Sequence, residues 1–271
     1  MIQFALYKDK KELKTIWKSV FNDTDFFIDL YFKHNFNPAN TLIFRDKGQI
    51  VSMLFMRPYE FRFWNETILC YYLSGLATLP EFRNQHIMCQ LINASVTIMK
   101  ERNIPLAVLI PANEKIYDFY KKFDFVQVFE KDNEQIPIER IIDNNSSLRE
   151  SFVEFDSIFR EKDFCIQKDF TDFQAIIAEW EYARRPKKNN IAGMAKLIAP
   201  HALFNIYKWK TGSEMTLNID NNAEVSLKNN ILTVCNTVLC RLLFGFHTAT
   251  MPKEIAAAFP EHKPILNLML E

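Results

Sequence analysis

Six residues, Arg83-Asn84-Gln85-His86-Ile87-Met88, stand where an apolar run gives way to a helical pattern, and phosphate chemistry is what such a position offers. The first N–H groups of a helix have no intrahelical partner, and the helix dipole adds positive potential there, so anions bind. Arg83 can add a charge-assisted contact. His86 puts an imidazole in the same loop: protonated, it pairs with an anion; by its bulk, it obstructs close approach of one. Downstream, Tyr117 and Tyr120 share a short helical pattern and read from the residues alone as half-buried aromatics. Glu60 and Glu66 are carboxylates on strands, and His201 and His247 have no partner at a diagnostic spacing.

These residues need elements to hold them. Residues 4–7 form a short strand, Asp9 caps a helix through Phe21, and Thr24 or Asp25 caps a second through about His34. Three strands follow from Thr41 to Leu79, with turns at Lys47-Gly48 and Asn65. The last is almost continuously apolar, as suits a strand covered on both faces. Gly75 within it marks either a bulge or relief of packing at a crowded crossing. An amphipathic helix spans 84–102, a buried strand 106–112, and a helix capped by Asn113 spans 114–123, before a closing strand from Phe125. Residues 131–150 read as a polar connection with room for one strand. Helices resume over 148–160 and 171–182, the second capped by Thr171 or Asp172. A basic stretch, Arg184 to Lys188, reads as a solvated loop. The remainder holds a strand in GMAKLIAP, a helix from His201, three short strands between Met215 and Asn236, a helix ended at Gly245, and another from Met251 to Phe259.

Composition sets outer bounds. The 271 residues suffice for one large domain or two modest ones, and the formal net charge of zero provides no field favouring nucleic acid or an anionic membrane. Five cysteines without C-x-x-C spacing support neither a disulfide framework nor a metal site. No apolar leader or bilayer-length run is present, so the expected location is cytoplasmic. Twenty-five phenylalanines and only five glycines leave few positions that adopt positive φ at no cost.

The window from Tyr71 to Phe125 resembles the GNAT acyltransferases, whose pyrophosphate loop is Q/R-x-x-G-x-G/A at the start of a helix. Here Arg83 matches, and His86 and Met88 fill the two small positions. Phe119-Tyr120-Lys121-Lys122-Phe123-Asp124-Phe125 resembles the family's F-Y-x-x-x-G-F, with Asp124 in place of Gly. The resemblance implies acetyl-CoA as donor. Arg83, Asn84, Gln85, His86, Ile87 and Met88 would hold its diphosphate, and Leu76, Ala77 and Thr78 would face its pantetheine arm. It implies Tyr120 as the general acid for the leaving thiolate, with Tyr117 as understudy. Gly193-Met194-Ala195-Lys196, the MTLNID strand and Leu242-Leu243-Phe244-Gly245 resemble the sterol-carrier-protein-like domain of the enhanced-intracellular-survival (Eis-like) branch. That branch uses its terminal carboxylate as base, which points to Glu271.

The implied fold is α+β or α/β: a GNAT domain over 1–130 with a mixed, mostly antiparallel sheet and flanking helices, a connector over 131–190, and a sterol-carrier-like α+β domain over 191–271. The implied partner is a small-molecule or peptide amine, without nucleic acid, membrane or metal; larger Eis-like relatives assemble, so a homo-oligomer is compatible. The alternative reading takes His86 and Asp124 as marks of a domain that no longer binds cofactor, leaving a binding or assembly protein whose C-terminal part holds a lipid or small molecule.

Overall fold

The computed structural model describes residues 1–130, 138–183 and 192–266; the basic stretch Arg184 to Lys188 and Glu271 lie outside the described residues. The first half runs β1 (Ile2–Phe4), α1 (Lys10–Phe21), α2 (Asp25–Asn35), β2 (Thr41–Asp46), β3 (Gln49–Phe63), β4 (Glu66–Thr78), α3 (Ile87–Glu101), β5 (Leu106–Leu109), α4 (Tyr117–Lys121) and β6 (Val126–Gln127). The second half runs α5 (Ile138–Asp143), α6 (Leu148–Phe159), β7 (Cys165–Ile166), α7 (Phe170–Ala183), β8 (Met194–Leu197), α8 (Pro200–Thr211), β9 (Thr216–Ile219), β10 (Ser226–Lys228), β11 (Ile231–Val234), α9 (Asn236–Leu243) and α10 (Lys253–Ala258).

The main sheet has the order β1-β2-β3-β4-β5-β8-β6, with β7 added on β3. The β4–β5 pair is parallel and the rest are antiparallel, which makes a mixed, mostly antiparallel sheet with flanking helices. Alternation along β3 shows how it is covered. Leu54 and Met56 enter a cluster with α3 and α4. Met53 and Phe55 enter one with α1 and α2, and Tyr59, Phe61 and Phe63 one with α8 and α9. Both faces are therefore buried, as the unbroken apolar run of β4 requires.

Several local expectations change. The strand in GMAKLIAP does not open a separate unit: β8 lies in the main sheet, hydrogen-bonded between β5 and β6. Residues 131–150 contain a helix, α5, and the two-residue β7 is added to β3 at Phe61 and Arg62. Asp9 makes no capping bond to α1; its carboxylate accepts from the Leu6 N–H and pairs with Arg45 at 2.8 Å. The start of α7 is held by Asp169, which accepts from the Asp172 N–H at 2.7 Å while Asp172 accepts from the Asp169 N–H at 3.0 Å, a reciprocal capping box. Thr24 does cap α2, through the Phe27 N–H. The three C-terminal strands form a second sheet, β10-β11-β9.

The hairpin turn at Trp64-Asn65 has positive φ at both residues, as a two-residue turn of twisted strands demands. Trp64 tolerates this while its indole N–H donates to the Leu243 carbonyl at 2.9 Å, tying the hairpin tip to α9. No helix among the described residues is long and apolar enough to cross a membrane.

Two backbone positions carry the most weight. Gly75 has φ +56°, and a methyl there would lie 2.7 Å from atoms of both Phe55 and Trp17. Gly75→Ala is expected to lose about 2–4 kcal/mol in urea unfolding, through strain and overpacking together; a loss under about 0.5 kcal/mol would contradict this geometry. His86 has φ +57°, a conformation His adopts more readily than most residues and a β-branched residue scarcely at all. His86→Gly should hold or slightly raise stability and His86→Val should lose about 1–2 kcal/mol, and equal values for the two would show that φ is not what constrains this position.

Candidate active site

The site begins with a strand that has one neighbour too few. β4 pairs with β5 only at Cys70–Leu106, Tyr71–Ala107 and Tyr72–Val108. Beyond that row β4 stays on β3 as far as Thr78, while Leu109 of β5 pairs with Met194 of β8. The two parallel strands thus part, leaving the edge of β4 that faced β5 without a strand partner from Leu73 to Thr78.

The parting coincides with a bulge. Met53 pairs with Ala77 and Phe55 with Ser74, so Gly75 and Leu76 together face Leu54. An extra residue bends a strand and re-aims its N–H groups. Both expectations for Gly75 hold at once: it forms the bulge, and the space its missing side chain leaves is filled by the Phe55 and Trp17 rings.

The loop after β4 leads to the start of α3. Arg83 is exposed, and its Nε donates to the Thr78 carbonyl at 3.2 Å, which ties the loop back to the strand end. Asn84 and His86 both take left-handed backbone, so the helix begins at Ile87, later than the pattern suggested. The first turn of α3 contains no acidic residue. The N–H groups of Ile87, Met88 and Cys89 precede the first intrahelical bond, from Gln90 to His86. Gln85 is exposed and donates to the Glu81 carbonyl. The His86 imidazole is also exposed, with Nδ1 4.0 Å from Cys89 Sγ. Met88 turns onto the apolar cluster below the helix. These residues fit a diphosphate: free N–H donors, no competing carboxylate in the turn, and a left-handed bend where a glycine would otherwise stand.

Leu76 packs in that same cluster with Tyr120, Leu73, Leu109 and Phe125. Ala77 faces the opposite side, toward α1 and α2, and the Thr78 hydroxyl bonds to Ser52 Oγ at 2.8 Å. Tyr120 is buried, edge-on to Phe119 and Phe125, and its hydroxyl has no hydrogen-bond partner among the described residues. Burial pushes its phenol up to about 12, so it is protonated at neutral pH. Tyr117 is also raised to about 12, by burial and then by Glu114, but its hydroxyl donates to the Ala192 carbonyl. Asp124, at the position of the family's glycine, has φ +59°, and its carboxylate meets Lys196 at 3.0 Å.

The alternative carboxylates are elsewhere. Glu66 pairs with Lys210 at 2.5 Å, nine residues along β4 from the bulge. Glu60 is exposed and pairs in the ladder with Leu69, six residues from Gly75. His247 contacts Glu130 at 2.6 Å, and His201 is exposed. Glu271 lies outside the described residues; five positions earlier, Leu266 packs where a Cβ on Gly193 would stand, next to β8.

Sequence reasoning missed the polar groups on the side of β3 and β4 that meets α2 and α7. Tyr31 of α2 meets Ser74 Oγ at 2.5 Å, with both groups buried. Arg57, opposite Tyr72 in the last row before the strands part, pairs with Asp172 of α7. Burial, then Lys33 and Arg57, lowers His34 nearby. Arg57, the single charged residue in the run from Ile50 to Tyr59, was the available signal.

Known proteins resemble this chain in fold and in one segment of sequence. A probable N-acyltransferase from Enterococcus faecalis, a conserved protein of unknown function, shares the fold with TM-score 0.69 at 11% identity over 97% of both chains. The GNAT family N-acetyltransferase YhbS from Escherichia coli, in complex with CoA, gives 0.45 at 14% identity over 75% of this chain and 83% of that one. Eis1 from Mycobacterium abscessus gives 0.43 at 12% identity over 48% of this chain and 32% of that one. At these identities the Enterococcus likeness speaks to the fold alone. No curated protein sequence matches. Residues 3–128 match the family model for the acetyltransferase (GNAT) domain, a segment that contains the bulge, the left-handed loop and Tyr120.

Proposed function

We propose that this protein is an acetyl-CoA-dependent N-acetyltransferase acting on a primary amine. The observation that carries the reading is the convergence of three features in one place: the parted β4 and β5, the N-terminus of α3 behind its left-handed loop, and the protonated Tyr120 in the cluster beneath Leu76. Acetyl-CoA supplies the thioester and its thiol leaving group. The N–H groups of Ile87, Met88 and Cys89 would hold the diphosphate, with Arg83 at the rim and Met88 turned out of the way. The open edge of Leu76 to Thr78 would pair with the pantetheine arm, and the bulge frees an N–H for the carbonyl. Tyr120 would give its proton to the departing thiolate, and Tyr117, already donating to Ala192, would not.

The Eis-like assignment belongs to the same proposal. The second sheet, β9 to β11, packs with α8 and α9 against the main sheet, which suits a sterol-carrier-like unit that walls the acceptor side. Within that assignment Glu271 is the proton acceptor for the incoming amine; the seat of Leu266 on Gly193 brings the chain to the end of β8 nearest the cleft. All five cysteines are free thiols, in keeping with a reducing compartment such as the cytoplasm.

Two measurements test the reading. Acetyl-CoA at about a hundred times its Kd should stabilise the wild type by roughly 2.7 kcal/mol in thermal unfolding. Absence of any shift, restored in His86→Gly, would favour the binding-protein alternative. Tyr120→Phe should lower kcat for thiol release by about 10²-fold or more while acetyl-CoA binding is unchanged, and a wild-type kcat in that variant would remove Tyr120 from the mechanism. Because the phenol titrates near 12 instead of 10, the acid is retained as pH rises through 10 and is lost only as pH approaches 12. Tyr120 should therefore produce no alkaline limb near neutrality; a limb there that disappears in Tyr120→Phe would contradict the buried, protonated state.

A further inference from the structure

In a chain with five glycines, two of them, Gly193 and Gly245, lie flush against the same C-terminal segment. A Cβ on Gly245 would run into the Pro260 carbonyl and lie 2.5 Å from His262 Cδ2. One on Gly193 would lie 2.5 Å from Leu266 Cδ2. Residues 260–266 lie beyond α10 and pass from one glycine to the other, with one isolated bridge, between Ile265 and Cys165. The His262 N–H donates to the Gly245 carbonyl at 2.8 Å, and the Ile265 N–H to the Phe164 carbonyl at 2.8 Å.

Between the two glycines an ionisable side chain is seated among aromatic rings. The His262 ring lies 4.5 Å from the Phe164 ring and 5.3 Å, edge-on, from that of Trp64. Its Nε2 is buried and meets no hydrogen-bond partner among the described residues. An imidazolium donates from both nitrogens, so protonation would bury an N–H without an acceptor; the socket suits the neutral ring. Asp163, in the turn before β7, acts on the ring, but its two oxygens already accept from the Asn65 and Phe164 N–H groups at 3.1 Å each. From the β3–β4 hairpin the ring meets Trp64, beyond which Glu66 is paired with Lys210, and from the end of α9 it meets Gly245. Of its chain neighbours, Glu261 is exposed and accepts from the Ala249 N–H, and Lys263 is exposed. Burial holds the imidazole below its ordinary range, against a smaller upward pull from Asp163.

We propose that residues 260–266 form an acid-released strap with His262 as its latch, seated while the ring is neutral and loosened when the ring is protonated. The seated ring resists a proton that the released ring takes up. Seating is therefore full above the ordinary imidazole value of about 6.5 and weakens as pH falls below it. On release, Leu266 leaves Gly193 and Ile265 leaves Phe164. The inference rests on the acetyltransferase reading only for its consequence. The strap leads along the chain to Glu271, so release withdraws that carboxylate and slows acetyl transfer in acid while acetyl-CoA still binds.

The test is hydrogen exchange of the full-length protein at about pH 7.5 and about pH 5, corrected for intrinsic rates. The wild type is compared with His262→Phe, which keeps a ring in the socket and takes no proton. The expected result is a loss of protection of about threefold or more at the His262 and Ile265 amides of the wild type at the lower pH. Protection in α3 should hold, and His262→Phe should keep its strap protected at both pH values. Equal wild-type protection at the two pH values, or an equal loss in His262→Phe or throughout α3, would overturn the latch. An NMR titration of the wild-type imidazole needs no variant to fold: a value below the ordinary one supports the latch, and one at or above it overturns it. Neither readout uses acetyl-CoA, so a failure of cofactor binding would remove the acetyltransferase reading and leave the strap standing.

Discussion

The loss of one strand partner governs this structure. β4 is held by β3 along nearly its whole length but by β5 over three residues only, and the bulge at Gly75 stands just past the last shared row. A strand with an open edge in the middle of a sheet leaves backbone donors and acceptors for side chains, water or a ligand to pair. Everything else is arranged around that opening. α3 closes one face with its N-terminus at the strand end, α4 brings Tyr120 beneath Leu76, and α1, α2 and α7 close the other with the Tyr31–Ser74 and Arg57–Asp172 pairs. Trp17 and Phe55 fill the space beneath Gly75, so the bulge is packed into place.

Glycine scarcity is met by a different device. The loop before α3 and the turn after α4 need left-handed backbone, and the chain supplies it with Asn84, His86 and Asp124. These residue types enter that region at modest cost because their short polar or ring side chains avoid the clash that a β-branched residue would suffer. What glycine also provides is room. At His86 the side chain is an exposed imidazole whose Nδ1 lies 4.0 Å from Cys89 Sγ. A left-handed bend at the start of α3 is therefore kept without glycine.

Much of the frame was legible in the residues. The apolar run of β4, the helix after it, the strand expected over 106–112 and observed over Leu106–Leu109, and the tyrosine helix are there in the residues, and Gly75 was a marked position in a chain with five glycines. The left-handed loop was not legible, because His86 and Asp124 signal nothing about φ on their own. Nor was the place of β8: its residues are far along the chain from β5 and β6, and only the three-dimensional pairing shows that they complete the first sheet. The cap of α7 fell on Asp169 and not on Thr171 or Asp172, because the helix starts at Phe170 and Asp172 closes the capping box with one oxygen while the other meets Arg57 on β3. That ion pair is a long-range contact between two ordinary-looking residues, and local pattern carries no trace of it.

The central claim is that the opening between β4 and β5 is a seat for acetyl-CoA. A crystal structure of the protein grown with acetyl-CoA tests it most directly. The account predicts the diphosphate on the N–H groups of Ile87 to Cys89, the pantetheine arm paired along Leu76 to Thr78, and the sulfur within hydrogen-bond reach of the Tyr120 hydroxyl. Acetyl-CoA bound elsewhere, or β4 and β5 closed together with the His86 imidazole lying across the first turn of α3, would contradict it.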